Sequence, residues 1–154
     1  MNKIFVTLIL LFALNCKSTH NQEKMGEEDI VLIAKGNLYG SGEEGIKAQN
    51  SVITEESVWQ DLLAKMNSVN NVSDSFSESK IDFSIYSVIA IIDSVKSSGG
   101  HSLDLDFNPN SENIEVNVIR KSPEGMATTV MTQPYYIVKI VKSDLPIIFS
   151  TAKN

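Results

Sequence analysis

A chain of 154 residues with a formal net charge of −6 is long enough for one domain that buries roughly two thirds of its unfolded surface. The acidic balance argues against nucleic acid as a partner, since such binding rests on neutralising phosphates with Lys and Arg. A single cysteine, Cys16, excludes an internal disulfide, so stability must come from a hydrophobic core.

Met1-Asn2-Lys3 supplies a positive start, residues 4–14 are uncharged and rich in Leu, Ile and Phe, and a polar tail follows Cys16. This is the layout of a secretory signal peptide over residues 1–15, too short for a membrane-spanning helix of about 20 residues. The cysteine at the boundary resembles the lipobox of bacterial lipoproteins, in which cleavage exposes a cysteine that is then acylated. Ala13 and Asn15 stand where that motif usually has Leu and a small residue. The alternative is an ordinary secretory signal with an incidental cysteine. On the lipoprotein reading Cys16 is the lipidation site and residues 16–28 form a polar tether. Several acyl chains give stable attachment where one alone is marginal, and lipidation leaves no thiolate nucleophile or zinc-thiolate site. Lys17 follows the anchor, with no Asp of the kind that retains some lipoproteins at the inner membrane. The expected location is therefore exported and lipid-anchored, at the outer membrane or cell surface.

The folded domain is expected over residues 29–151. Residues 30–34 form a short apolar run that stops at Gly36, which reads as a first strand. After four glycines between 36 and 45, residues 46–53 are a weaker strand candidate. Thr54 is placed to cap a helix, with Glu55 and Glu56 at its positive end. Trp59, Leu62, Leu63 and Met66 then recur at helical spacing as one core-facing stripe. Residues 67–80 read as a long, mobile Asn- and Ser-rich loop.

Strand patterns dominate the rest. Residues 84–92 are nearly all apolar, as for a central strand covered on both faces. Leu103, Leu105 and Phe107 alternate with Asp104 and Asp106, and Ile114, Val116 and Val118 repeat the alternation. Further strands are expected over 127–132, 135–141 and 146–149. The class is α+β or mainly β: about seven mostly antiparallel strands with one amphipathic helix, in a compact single domain.

Catalytic patterns are weak. His20 lies in the tether, and a triad of Ser97, His101 and Asp104 would sit in one hairpin without an oxyanion site. Asp104 and Asp106 lack the further oxygen ligands of a calcium loop. No phosphate loop, dinucleotide fingerprint or zinc-protease helix is present. The expectation is a non-enzyme without cofactor or metal. Three loops have unusual backbone demands: Ser97-Ser98-Gly99-Gly100-His101, Ser122-Pro123-Glu124-Gly125-Met126, and Thr132-Gln133-Pro134-Tyr135-Tyr136. In an open antiparallel sheet alternate connections gather at one end, a common arrangement for partner binding. The expected contact residues are Ser98, Gly99, Gly100, His101, Pro123, Gly125, Met126, Gln133, Pro134, Tyr135 and Tyr136. Met126, Tyr135 or Tyr136 would be the anchors.

Those motifs carry a family resemblance. Residues 88–149 resemble the PrcB C-terminal domain of protease-complex subunits, with its Gly-Gly turn, alternating strand, Pro-Gly-type loop and Thr-x-Pro-Tyr turn into an apolar strand. Ile53-Thr54 before the helix and Asp82-Phe83 before the central strand extend the likeness to roughly residues 30–150. His101 replaces the aromatic that commonly follows the Gly-Gly pair. The resemblance implies a non-catalytic surface lipoprotein that associates with, and stabilises, a secreted or surface protease. Two alternatives stand beside it: a protease inhibitor presenting loops from one sheet end, by architectural analogy with chagasin-type inhibitors, and an envelope structural lipoprotein with no protease partner. A hydrolase using His101 ranks last.

Overall fold

The computed structural model describes residues 26–151, so the expected signal segment, Cys16 and most of the tether lie outside the described residues. In chain order the strands are β1 (Ile30–Leu38), β2 (Gln49–Ile53), β3 (Tyr86–Ile92), β4 (Ser102–Pro109), β5 (Ile114–Lys121), β6 (Gln133–Val141) and β7 (Ile147–Thr151). One helix, α1 (Glu56–Met66), follows β2, and 3-10 turns span Glu27–Asp29 and Val72–Ser75. The strands form two sheets, ordered β1-β6-β3-β2 and β4-β5-β7. Every pairing is antiparallel except β5 with β7. The fold is mainly β, in one compact domain of three layers: helix, four-stranded sheet, three-stranded sheet.

The unbroken apolar run of β3 follows from its place in the middle layer. Val88, Ala90 and Ile92 point into a core with Trp59, Leu62, Leu63 and Met66 of α1. Ile89 and Ile91 point the other way, into a second core with Leu103, Ile114, Val116 and Val118. A strand alternates its side chains between faces, so one covered on both faces is apolar nearly throughout, Ser87 being the exception in β3. β6 divides in the same way, Tyr135 and Ile137 toward the helix and Val138 and Ile140 toward the smaller sheet.

Four local expectations change. β1 runs through Gly36 to Leu38 because the Tyr135 ring lies over that glycine, its hydroxyl 3.1 Å from where a Cβ would stand. Glu55, not Thr54, occupies the helix N-cap, in extended conformation and with no side-chain cap. Residues 127–132 are not a strand, since no ladder forms there and Thr132 makes only a lone bridge, to Lys96. The Asn- and Ser-rich segment, expected to be mobile, is fastened across the helix-side core. Asn67 holds the Val72–Ser75 turn by its side chain, accepting from the Ser73 N–H at 2.9 Å. Phe76 lies against Trp59 and Tyr135 with ring centroids 6.5 and 6.1 Å apart. The Ser77 N–H donates to the Ile33 carbonyl at 3.0 Å, and Glu78 pairs with Lys139.

Candidate loop interface

β1, β3 and β5 all run toward the same end of the sandwich, where β2, β4 and β6 begin. The connections 39–48, 93–101 and 122–132 therefore collect there. The three motifs singled out in the sequence meet at this end. The Gly99 N–H donates to the Thr128 carbonyl at 3.1 Å, and Lys96 and Thr132 exchange backbone bonds of 2.7 and 3.1 Å. The Thr132 hydroxyl donates to the Ser98 carbonyl at 2.9 Å. Gly100 adopts φ +85°, and a Cβ there would lie 2.7 Å from the Pro123 ring. Alanine at that position meets both the left-handed backbone and the proline. Gly100→Ala is expected to cost about 1–2 kcal/mol, read as a lower unfolding midpoint. An unchanged midpoint would mean that the two loops do not depend on each other.

A polar base holds the loops. Asp93, buried at the end of β3, receives Lys96 Nζ at 2.9 Å and Arg120 Nε at 3.3 Å. The Ser94 N–H adds a third bond at 2.8 Å. Burial alone would push the Asp93 carboxyl up, but the bonds from Lys96, Ser94 and Arg120 outweigh it and hold the group below its ordinary range. Gln133, also buried, donates from Nε2 to the carbonyls of Ile46 and Asp93 at 2.8 and 2.9 Å, tying the first loop to the second. Glu44 is buried too, accepting the Gly40 N–H at 2.8 Å. On the flank, Asp104 joins Lys121 and Lys35, and those bonds hold its carboxyl low.

The predicted contact residues divide by burial. Gly99, Gln133, Pro134 and Tyr135 are buried, so they support the loops and are not available as contact surface. Tyr135 in particular is a core ring, 5% exposed, and not an anchor. Tyr136 points to the other face, half-buried, with the Lys35 ammonium 5.3 Å from its ring centre. Ser98, His101 and Pro123 are half-buried, while Gly100, Gly125 and Met126 are exposed, Met126 fully. Met131, Val130 and Tyr39 join Met126 as exposed apolar groups of the same loops.

The imagined triad is not assembled. His101 Nε2 meets Ser98 Oγ at 3.2 Å, not Ser97, and Asp104 is engaged by its two lysines. Among the described residues no group of three or more His, Cys, Asp or Glu side chains is arranged to hold a metal ion. Also among them, no helix is long and apolar enough to cross a membrane. Sequence reasoning missed Asp93, Lys96, Arg120 and Met131. An acid placed directly after the apolar run of 84–92 was the available signal for the first; for Arg120, 27 residues away, there was none.

Comparison with protein-family models, with curated proteins and with solved structures returns no match. The fold and the loop geometry therefore stand on this chain alone.

Proposed function

We propose that the protein is a non-catalytic accessory module, anchored by lipid at Cys16, that binds a secreted or surface protease through the end formed by residues 93–101 and 122–132. The observation that carries this reading is the pairing of exposed and fixed parts. Met126, Val130 and Met131 are exposed on a loop whose base is fastened to the 93–101 turn and to the sheet. Apolar side chains on a preorganised loop bind with little ordering cost, and a few such anchors dominate an interface. The described chain enters at Gly26, beside the start of β1, which is the end opposite the loops. A tether attached there would hold the loops away from the membrane. The protease as partner rests on the resemblance of the three loop motifs to the PrcB C-terminal domain.

The test is crosslinking in intact cells, followed by affinity purification of the full chain and mass-spectrometric identification. A peptidase is expected among the captured proteins. The double variant Met126→Asp, Met131→Asp is expected to capture it at least about tenfold less well, with the unfolding midpoint unchanged because both side chains are exposed. Capture of no peptidase would sink the protease reading; equal capture by the variant would sink the loop end as the contact. Added to the captured peptidase, the purified protein should prolong its lifetime. A fall in turnover instead would assign inhibition.

A further inference from the structure

The two sheets leave four edges, β1 and β2 in one and β4 and β7 in the other. A bare edge presents N–H and C=O groups to any extended chain, and folded proteins block it with charge, bulge, proline or cover. β1 is blocked twice. Its register slips between Leu32 and Ala34, and Ser77 occupies the carbonyls of Ile33 and Leu32 at 3.0 and 3.1 Å. β4 carries Asp104 and Asp106 along its length. β7, Ile-Ile-Phe-Ser-Thr, has no charge, proline or register slip, and β2, Gln-Asn-Ser-Val-Ile, has no charge either. Both open edges lie on the same side of the sandwich, because β4 packs over β1 and β6 at the other.

The parallel pairing of β7 fixes which of its groups are free. Ile147 is level with Ile114, whose N–H donates to the Pro146 carbonyl at 3.0 Å. Alternate residues of a parallel strand bond to one neighbour, so Ile147, Phe149 and Thr151 turn their N–H and C=O groups to the open side. Among the described residues, nothing covers the sheet beneath that edge. Val52 is level with Ile89 and shares its face. Ile89 is fully buried under the smaller sheet, whereas Val52 is 37% exposed. The three-stranded sheet stops short of β2.

We propose that the β7 edge accepts an extended segment of a partner polypeptide, added as a fourth strand beside β7 with its inward side chains over Val52. The surface dictates the occupant. Free main-chain groups of Ile147, Phe149 and Thr151 require an extended backbone, and Val52 requires apolar residues at alternate positions. The uncharged walls of β2 and β7 match an uncharged segment. A second copy of this chain fits less well. Five residues of edge span about 17 Å, a line of contact well short of the roughly 800 Å² per partner of a stable pair. The projecting β2 also occupies the ground on which a second sandwich would stand.

The proposal is tested on the full chain with one defined probe, the peptide acetyl-Ser-Val-Thr-Val-Ser-Val-Thr-amide, by amide hydrogen exchange read by NMR. At saturating peptide the Ile147, Phe149 and Thr151 amides should slow at least about tenfold, with the Ile148 and Ser150 amides, already bonded to β5, unchanged. Val52→Lys puts a charge where the inward side chains would lie, at a site exposed enough to leave the unfolding midpoint in place. It should weaken binding at least about tenfold, as should N-methylation of every peptide residue, which removes the backbone donors. No slowing of those three amides, or equal binding by the N-methylated peptide or to the lysine variant, would overturn the proposal. So would protection without peptide that rises with protein concentration alongside a dimer mass in sedimentation, which would make the occupant a second copy.

Discussion

Replacing Trp59 by alanine is expected to remove about 3–5 kcal/mol of folding stability, a large share of the roughly 5–15 kcal/mol available to a domain. The ring is fully buried and joins three parts of the fold. It sits on the inner stripe of α1 with Leu62, Leu63 and Met66, and it packs against the helix-facing residues of β3. Its Nε1–H donates to the Ser79 carbonyl at 2.8 Å, and its face lies against Phe76. Truncation would therefore open a cavity and also release the 67–85 segment from the helix. Trp59→Phe separates the two effects. It keeps most of the packing and leaves the Ser79 carbonyl without its donor, a loss of about 1 kcal/mol. Urea unfolding followed by far-UV circular dichroism measures both variants without relying on the lost fluorophore. A cost below about 1 kcal/mol for the alanine variant would mean that the helix is not a structural layer of this domain.

Trp59 was legible in the sequence because its signal is local. The spacing of Trp59, Leu62, Leu63 and Met66 specifies a helix face within a single element. The alternation of Leu103, Leu105 and Phe107 does the same for a strand with one wet side. The doubly buried β3 was legible as well, since a run from Tyr86 to Ile92 with only Ser87 interrupting it leaves no solvent face. Non-local information was not. Residues 127–132 hold Val130 and Met131, apolar enough to suggest a strand, but a strand exists only where another offers a ladder, and here only Lys96 does. The Tyr135-Tyr136 pair shows the same limit at single-residue scale. Neighbouring residues on a strand face opposite ways, and a slip of one residue exchanges them. The sequence marks two aromatics after Pro134 without saying which enters the core. Gly36 decides it, since the register sets that glycine opposite Tyr135 and leaves room for its ring.

The loops were legible as turns for a reason of backbone chemistry. Gly100 and Gly125 both take positive φ, and Pro123 fixes its own φ between them. Their convergence followed from antiparallel topology, which sends alternate connections to one end. What holds them there was hidden, because Arg120 of β5 and Gln133 of β6 join Asp93 and Lys96 of the 93–101 connection only after the sheets stack. The site therefore splits into an outer set found by punctuation and an inner set found only by folding.

That inner set supports the second large effect. Asp93→Asn is expected to cost about 2–3 kcal/mol at neutral pH. The amide matches the carboxylate in shape but lacks the charge that Lys96 and Arg120 face. Both cations are partly solvated, 24% and 36% exposed along their side chains, so the loss stays below that of a fully enclosed pair. The pH dependence has a definite sign. The Asp93 carboxyl titrates lower in the folded protein than its ordinary value near 3.9. The unfolded chain therefore binds the proton first as pH falls. The stability this carboxylate contributes is complete above about pH 5 and is lost as pH falls through the folded value, below about pH 4. The difference between wild type and Asp93→Asn should accordingly be full at pH 7 and smaller at pH 3. Asp104 and Asp82 are displaced in the same direction, so the variant keeps part of the acid slope, and only the difference isolates Asp93. Urea midpoints of both proteins at the two pH values measure it. An equal difference at both would mean that shape, not charge, is what Asp93 supplies. If the charge holds the loops, the variant should also capture the partner less well, although every exposed residue of the proposed contact is intact.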